Sequence, residues 1–90
     1  MHAVVVRVSI SDIESARKGL TEMVVPRVSA APGFVAGYWT RSDDGSNGQS
    51  IIVFESEEAA RAGADQIRAN PAPEGVTLES AEVREVVASA

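Results

Sequence analysis

The chain predicts an α+β domain running strand, helix, strand, strand, helix, strand, with a four-stranded antiparallel sheet and both helices on one side. Three observations carry this expectation. Extended β-branched segments alternate with two amphipathic, capped segments. A D-G and an N-G step separate two central extended segments. Large apolar side chains fall on both faces of the expected strands. Ninety residues suffice for one such domain, spanning positions 1–90. That size is near the lower limit at which a chain buries an adequate core alone, so self-association would help it.

The first strand is His2 to Ile10, HAVVVRVSI, whose β-branched side chains are already restricted at χ1 and favour extended backbone. Ser11-Asp12-Ile13-Glu14 follows as S-x-x-E, which predicts a helix capped by Ser11. Ile13, Ala16, Leu20, Val24 and Val28 recur at spacings of three and four, so they form one helical stripe. Pro26 lies within that pattern and cannot donate a backbone hydrogen bond, which predicts a kink or loosened turn over Glu22 to Pro26. Pro32-Gly33 ends the helix.

The second and third strands are Phe34 to Arg41 and Gln49 to Glu55. Between them Asp44-Gly45 and Asn47-Gly48 supply the backbone freedom of a hairpin turn. Ser56 is a suitable N-cap and Glu57 and Glu58 suit the positive end of a helix that runs on to Asn70-Pro71. Gly63 inside it marks either a close backbone approach or a weak point. A last strand spans Val76 to Val87, with loose alternation. The arrangement is the split βαβ, ferredoxin-like one.

Simple alternation places Val4, Val6, Val8 and Ile10 opposite Val5, Phe34 and Tyr38 opposite Val35 and Trp39, and Ile51 and Val53 opposite Ile52 and Phe54. A sheet covered on one side by helices would then leave a second apolar face in water. Pairing two copies face to face buries it, so the expected partner is a second copy of this chain.

Charge and composition exclude several classes. A net charge of -5 repels a phosphate backbone, which argues against nucleic acid. Without cysteine there is no disulfide, thiolate nucleophile or Cys-based metal site, and the cytoplasm is the expected location. No apolar run approaches the roughly 20 residues that span a bilayer, and no signal peptide is evident, so no membrane role is expected. His2, the one histidine, stands beside Met1 and offers neither a convincing general base nor a catalytic triad. Asp43, Asp44 and Asn47 lack the later oxygen ligands of a calcium loop and read as a turn.

The run from Pro32-Gly33-Phe34 to Phe54-Glu55-Ser56-Glu57-Glu58-Ala59, preceded by Val24-Val25-Pro26, resembles the antibiotic biosynthesis monooxygenase superfamily of dimeric α+β barrels. The resemblance covers nearly the whole chain. It implies a cofactor-independent monooxygenase acting on a small aromatic or quinol-type compound or, alternatively, a non-catalytic small-molecule-binding or interaction module of the same fold. Haem-degrading members use a first-strand Asn, a Trp in the second helix and a ligating His. Val6 or Arg7, and Gly63 or Ala64, occupy the first two places here, and His2 is the sole imidazole. The resemblance therefore implies no haem, and no other cofactor or metal is expected.

Three residues are the candidates for substrate binding. Arg7 interrupts an apolar strand. It is accounted for structurally by an ion pair with Glu55, Glu79 or Glu82, or by an exposed strand edge, and functionally by an anion or phenolate clamp. Trp39 is the preferred pocket residue, although a lone Trp ordinarily serves a core or dimer interface. Phe54 is expected beside it. No catalytic residue is assigned.

Overall fold

A computed structural model describes residues 1–90. Its elements are β1 (His2–Ile10), α1 (Ile13–Gly19), a π-helical turn (Leu20–Val24), α2 (Val25–Ser29), β2 (Phe34–Arg41), β3 (Asn47–Phe54), α3 (Glu57–Ala69) and β4 (Val76–Glu85). The strands lie in the order β2-β3-β1-β4, and every neighbouring pair is antiparallel. This is the expected ferredoxin-like sheet. No helix is long and apolar enough to cross a membrane.

Side-chain oxygens set the helix starts. Asp12, one residue later than Ser11, caps α1 by accepting from the Ser15 amide at 3.2 Å. A carboxylate at this position also suits the positive end of the helix. Ser56 caps α3 as expected, accepting from the Ala59 amide at 3.1 Å. The loosened turn lies just before Pro26. The Val25 amide reaches back five residues to the Leu20 carbonyl, a π-type bond. Pro26 has no amide to offer the preceding turn, and the widened ladder accommodates that gap. Thr21 donates its hydroxyl to the Arg17 carbonyl at 3.1 Å.

Bulges in two strand pairs decide which side chains face the helices. Phe34 pairs with Phe54, but Ala36 pairs with Val53, which leaves Val35 as an extra residue. The expected alternation is thereby corrected. Phe34 and Trp39 share the inner face, while Tyr38 points outward and is 66% exposed. A second irregularity sets Arg7 against Ser80 and Val8 against Leu78, so Glu79 is extra. It explains the loose alternation of β4, whose inward residues are Val76, Leu78, Ala81 and Val83.

The core joins Val4, Val6, Ile52, Phe54 and Ala81 of the sheet to Val28, Ala60 and Ala64 of the helices. Phe34 meets Phe54 edge to face, with ring centroids 6.4 Å apart and planes at 86°. On the opposite face, Tyr38 and Ile51 remain exposed and Val5 and Val53 half-buried.

Candidate binding site

The sheet and helices do not close on one another along their whole length. Between them lies a cavity of about 640 Å³. Its floor is the inner sheet face, including Val6, Val8, Trp39, Ile52 and Phe54. Leu20, Val24 and Val28 form one wall, and Gly63 and Ile67 of α3 form the other. The apolar stripe of the first helical stretch thus covers the cavity, and neither α1 nor the π-turn contributes a fully buried residue.

Two glycines shape this space. A Cβ on Gly37 would lie 2.7 Å from the outer ring of the Trp39 indole, so the indole lies over a position without a side chain. A Cβ on Gly63 would lie 2.6 Å from Phe54 Cζ. The close-approach reading of Gly63 is therefore the one observed, and it admits the Phe54 ring beneath α3.

Trp39 and Phe54 are brought together in this lining, with Phe54 only 1% exposed. Arg7 is not brought to them. It lies on the outer face of β1 between Gln49 and Ser80, is exposed, and belongs to none of the four ion pairs. β1 is a central strand, so Arg7 is exposed without standing at a sheet edge. Side chains alternate across a strand, and the odd residues of β1 face away from the helices.

The charged groups that do line the cavity are Arg17, Arg27, Arg41 and Asp43, all solvent-exposed at its rim. Sequence reasoning passed over these arginines because each stands beside polar residues or a helix end, where a cation needs no explanation. Their membership of one lining appears only when α1, α2 and β2 pack around the same cavity. Ser50 supplies a hydroxyl on the floor and is 8% exposed.

The lining contains no His, Cys, Tyr or Met. These are the side chains that hold haem iron, so the donor set does not fit that group. No cluster of His, Cys, Asp or Glu is arranged to hold a metal ion. In the hairpin, Asp44 accepts from the Ser46 amide at 3.0 Å and from the Ser46 and Ser42 hydroxyls at 2.8 Å each. These bonds, led by the Ser46 amide, hold its carboxyl below the usual carboxylate range and identify the loop as a self-satisfied turn.

No family model and no curated protein matches the chain, whereas solved structures match it over almost its full length. MhuD, a heme-degrader from Mycobacterium tuberculosis, is 21% identical with a TM-score of 0.68 in a form with two manganese protoporphyrin IX molecules bound per active site, covering 100% of this chain and 98% of that one. Its form with two hemes is 26% identical, with a TM-score of 0.53 over 97% and 98%. The monooxygenase ActVA-Orf6 of Streptomyces coelicolor, in complex with nanaomycin D, is 19% identical with a TM-score of 0.59 over 99% and 92%. A dimeric ferredoxin-like protein from an uncultured marine organism is 11% identical with a TM-score of 0.60 over 99% and 97%. The chain thus has the fold of the antibiotic biosynthesis monooxygenase superfamily.

Proposed function

We propose that this chain binds a small aromatic or quinol-type compound in the cavity between sheet and helices, and does so as a homodimer. The cavity itself carries the reading: about 640 Å³, more apolar than polar in its lining, with Trp39 and Phe54 on the floor. Pockets of this kind bind by burying apolar surface and orient the occupant through a few polar groups. Trp39 offers a ring face for stacking, and Ser50 a donor for a ring oxygen.

The homodimer follows from the outer sheet face. Tyr38 at 66% and Ile51 at 43% exposure stand opposite one another, and with Val5 and Val53 beside Ile51 they make an apolar surface that a second copy covers by two-fold symmetry. Arg7 lies on this face, so its role in the proposal is at the dimer contact.

Cofactor-independent monooxygenation is the second reading, favoured by the likeness to the ActVA-Orf6 monooxygenase. In that case the substrate supplies the electrons, and the apolar walls keep water from the reacting ring. The test is a titration of 1,4-naphthoquinone and its quinol, followed by the fluorescence of Trp39, the single tryptophan, and by an oxygen electrode. Saturable quenching without oxygen uptake supports the binding protein, and uptake above the uncatalysed rate supports the monooxygenase. No saturable quenching by either compound refutes both.

A further inference from the structure

The buried part of the cavity floor is apolar except at one place. Ser50 is the chain's one buried polar residue, 8% exposed, and it belongs to that floor. Its cross-strand neighbours are Val6 of β1 and Trp39 of β2, and Ile52 follows it on the same face. The backbone of Ser50 is paired in the sheet, but its hydroxyl makes no hydrogen bond to any group of the chain. A buried hydroxyl ordinarily has a partner, because leaving it unpaired in apolar surroundings is costly.

Other small polar side chains line the cavity, yet they are already engaged. Thr40 donates to the Gln49 carbonyl, Ser42 to Asp44 Oδ1 at 2.8 Å, and Asn70 to the Gln66 carbonyl at 2.9 Å. Ser50 alone combines burial with an open hydrogen-bonding capacity, and that capacity faces the cavity.

Building on the proposed binding of a small aromatic compound, we infer that Ser50 is the residue that orients the occupant and selects it. The occupant lies beside Trp39 with a carbonyl or hydroxyl oxygen directed at the sheet, and the Ser50 hydroxyl donates to that oxygen. A ring that carries such an oxygen gains a hydrogen bond. A ring without one closes over the hydroxyl and leaves it unpaired, which penalises the analogue as well as failing to reward it. The apolar cavity is thereby made to discriminate against a plain hydrocarbon ring of the same size.

Two probes that share a ring system test this: 1,4-naphthoquinone, and naphthalene, which lacks the oxygens. Both are titrated calorimetrically into the intact protein and the variants Ser50→Ala and Ser50→Thr. The ratio of the two affinities is the quantity read, because naphthalene is the more hydrophobic probe in any pocket. Ser50→Ala should shift that ratio toward naphthalene by about fivefold to tenfold, the worth of one uncharged hydrogen bond. Ser50→Thr keeps the hydroxyl and should hold the ratio near that of the intact protein. The thermal midpoint of unliganded Ser50→Ala should be unchanged or higher, because no partner within the protein is lost. An unchanged ratio in Ser50→Ala, an equal shift in Ser50→Thr, or a lowered midpoint in unliganded Ser50→Ala overturns the role of Ser50 while leaving aromatic binding standing. Failure of both probes to bind the intact protein overturns the aromatic pocket and this inference with it.

Discussion

Replacing Gly63 by alanine tests the packing beneath α3. The added methyl would stand 2.6 Å from Phe54 Cζ and 3.0 Å from Cε2, about 1 Å inside ordinary carbon contact. Phe54 is fully buried and held edge-on by Phe34. Overpacking of this kind costs about 1–3 kcal/mol. Alanine in place of glycine within a helix returns up to about 1 kcal/mol. The net expectation is a loss of roughly 1 kcal/mol, which in a domain of this size lowers the thermal midpoint by about 4–8 °C. The ring lines the cavity, so a ring displaced into it should also make the variant bind the naphthoquinone probe more weakly. In a Phe54→Leu background the obstructing ring edge is gone, and Gly63→Ala should become neutral or stabilising. Thermal melts of the four proteins decide the matter. A higher midpoint for Gly63→Ala in the intact protein would refute the packing argument.

Further outcomes follow from the same geometry. Ser56→Ala removes the α3 cap and should cost about 1 kcal/mol in urea denaturation. Ile51→Glu places a carboxylate in the proposed sheet-to-sheet contact. Multi-angle light scattering should show a dimer for the intact protein and half that mass for the variant; a monomer for both would end the dimer proposal. Acid unfolding should draw on Asp44 and Glu57, whose carboxyls are held below their usual range by Ser46 and by Arg61 respectively. A carboxylate lowered in the folded state adds stability above its unfolded pKa and loses it as pH falls through the folded value. Asp44→Asn should therefore lower stability at neutral pH and flatten the acid limb of the stability profile, and an unchanged limb would contradict this.

The elements were legible because local chemistry dictates them. β-branched runs made the strands, side-chain oxygens made the caps, Pro26 disturbed the first helix, and the glycine steps made the hairpin. What escaped was phase. Val35 and Glu79 each add one residue to an extended run, and nothing in their composition marks them as extra. A single such residue reversed the expected pairing of Phe34 with Tyr38 and set Phe34 beside Trp39. Trp39 and Phe54 stood out by their size, and both line the cavity, although the face of Trp39 was fixed only by the bulge at Val35. Arg27 and Arg41 did not, since their place in the cavity lining depends on the docking of elements distant in sequence. Arg7 drew notice because strand periodicity alone does not say which face the helices cover.

The first helical stretch behaves as a beam held at its ends and near its middle, with the turn beyond the middle left over the cavity. At one end Ile13 is seated against Gly45, where any side chain would strike its Cδ1 at 2.5 Å. At the other Val28 enters the core. Between them Gly19 lies against the Pro73 ring, which a Cβ would strike, while the π-turn that follows covers the cavity and has no buried residue, so its backbone amides receive less tertiary protection than those of α3. Solvent deuterium should therefore enter the amides of this turn well before those of α3. A ligand filling the cavity would act as a further support beneath the π-turn, and slower exchange over Leu20 to Val24 would register its arrival even when no chemical change follows.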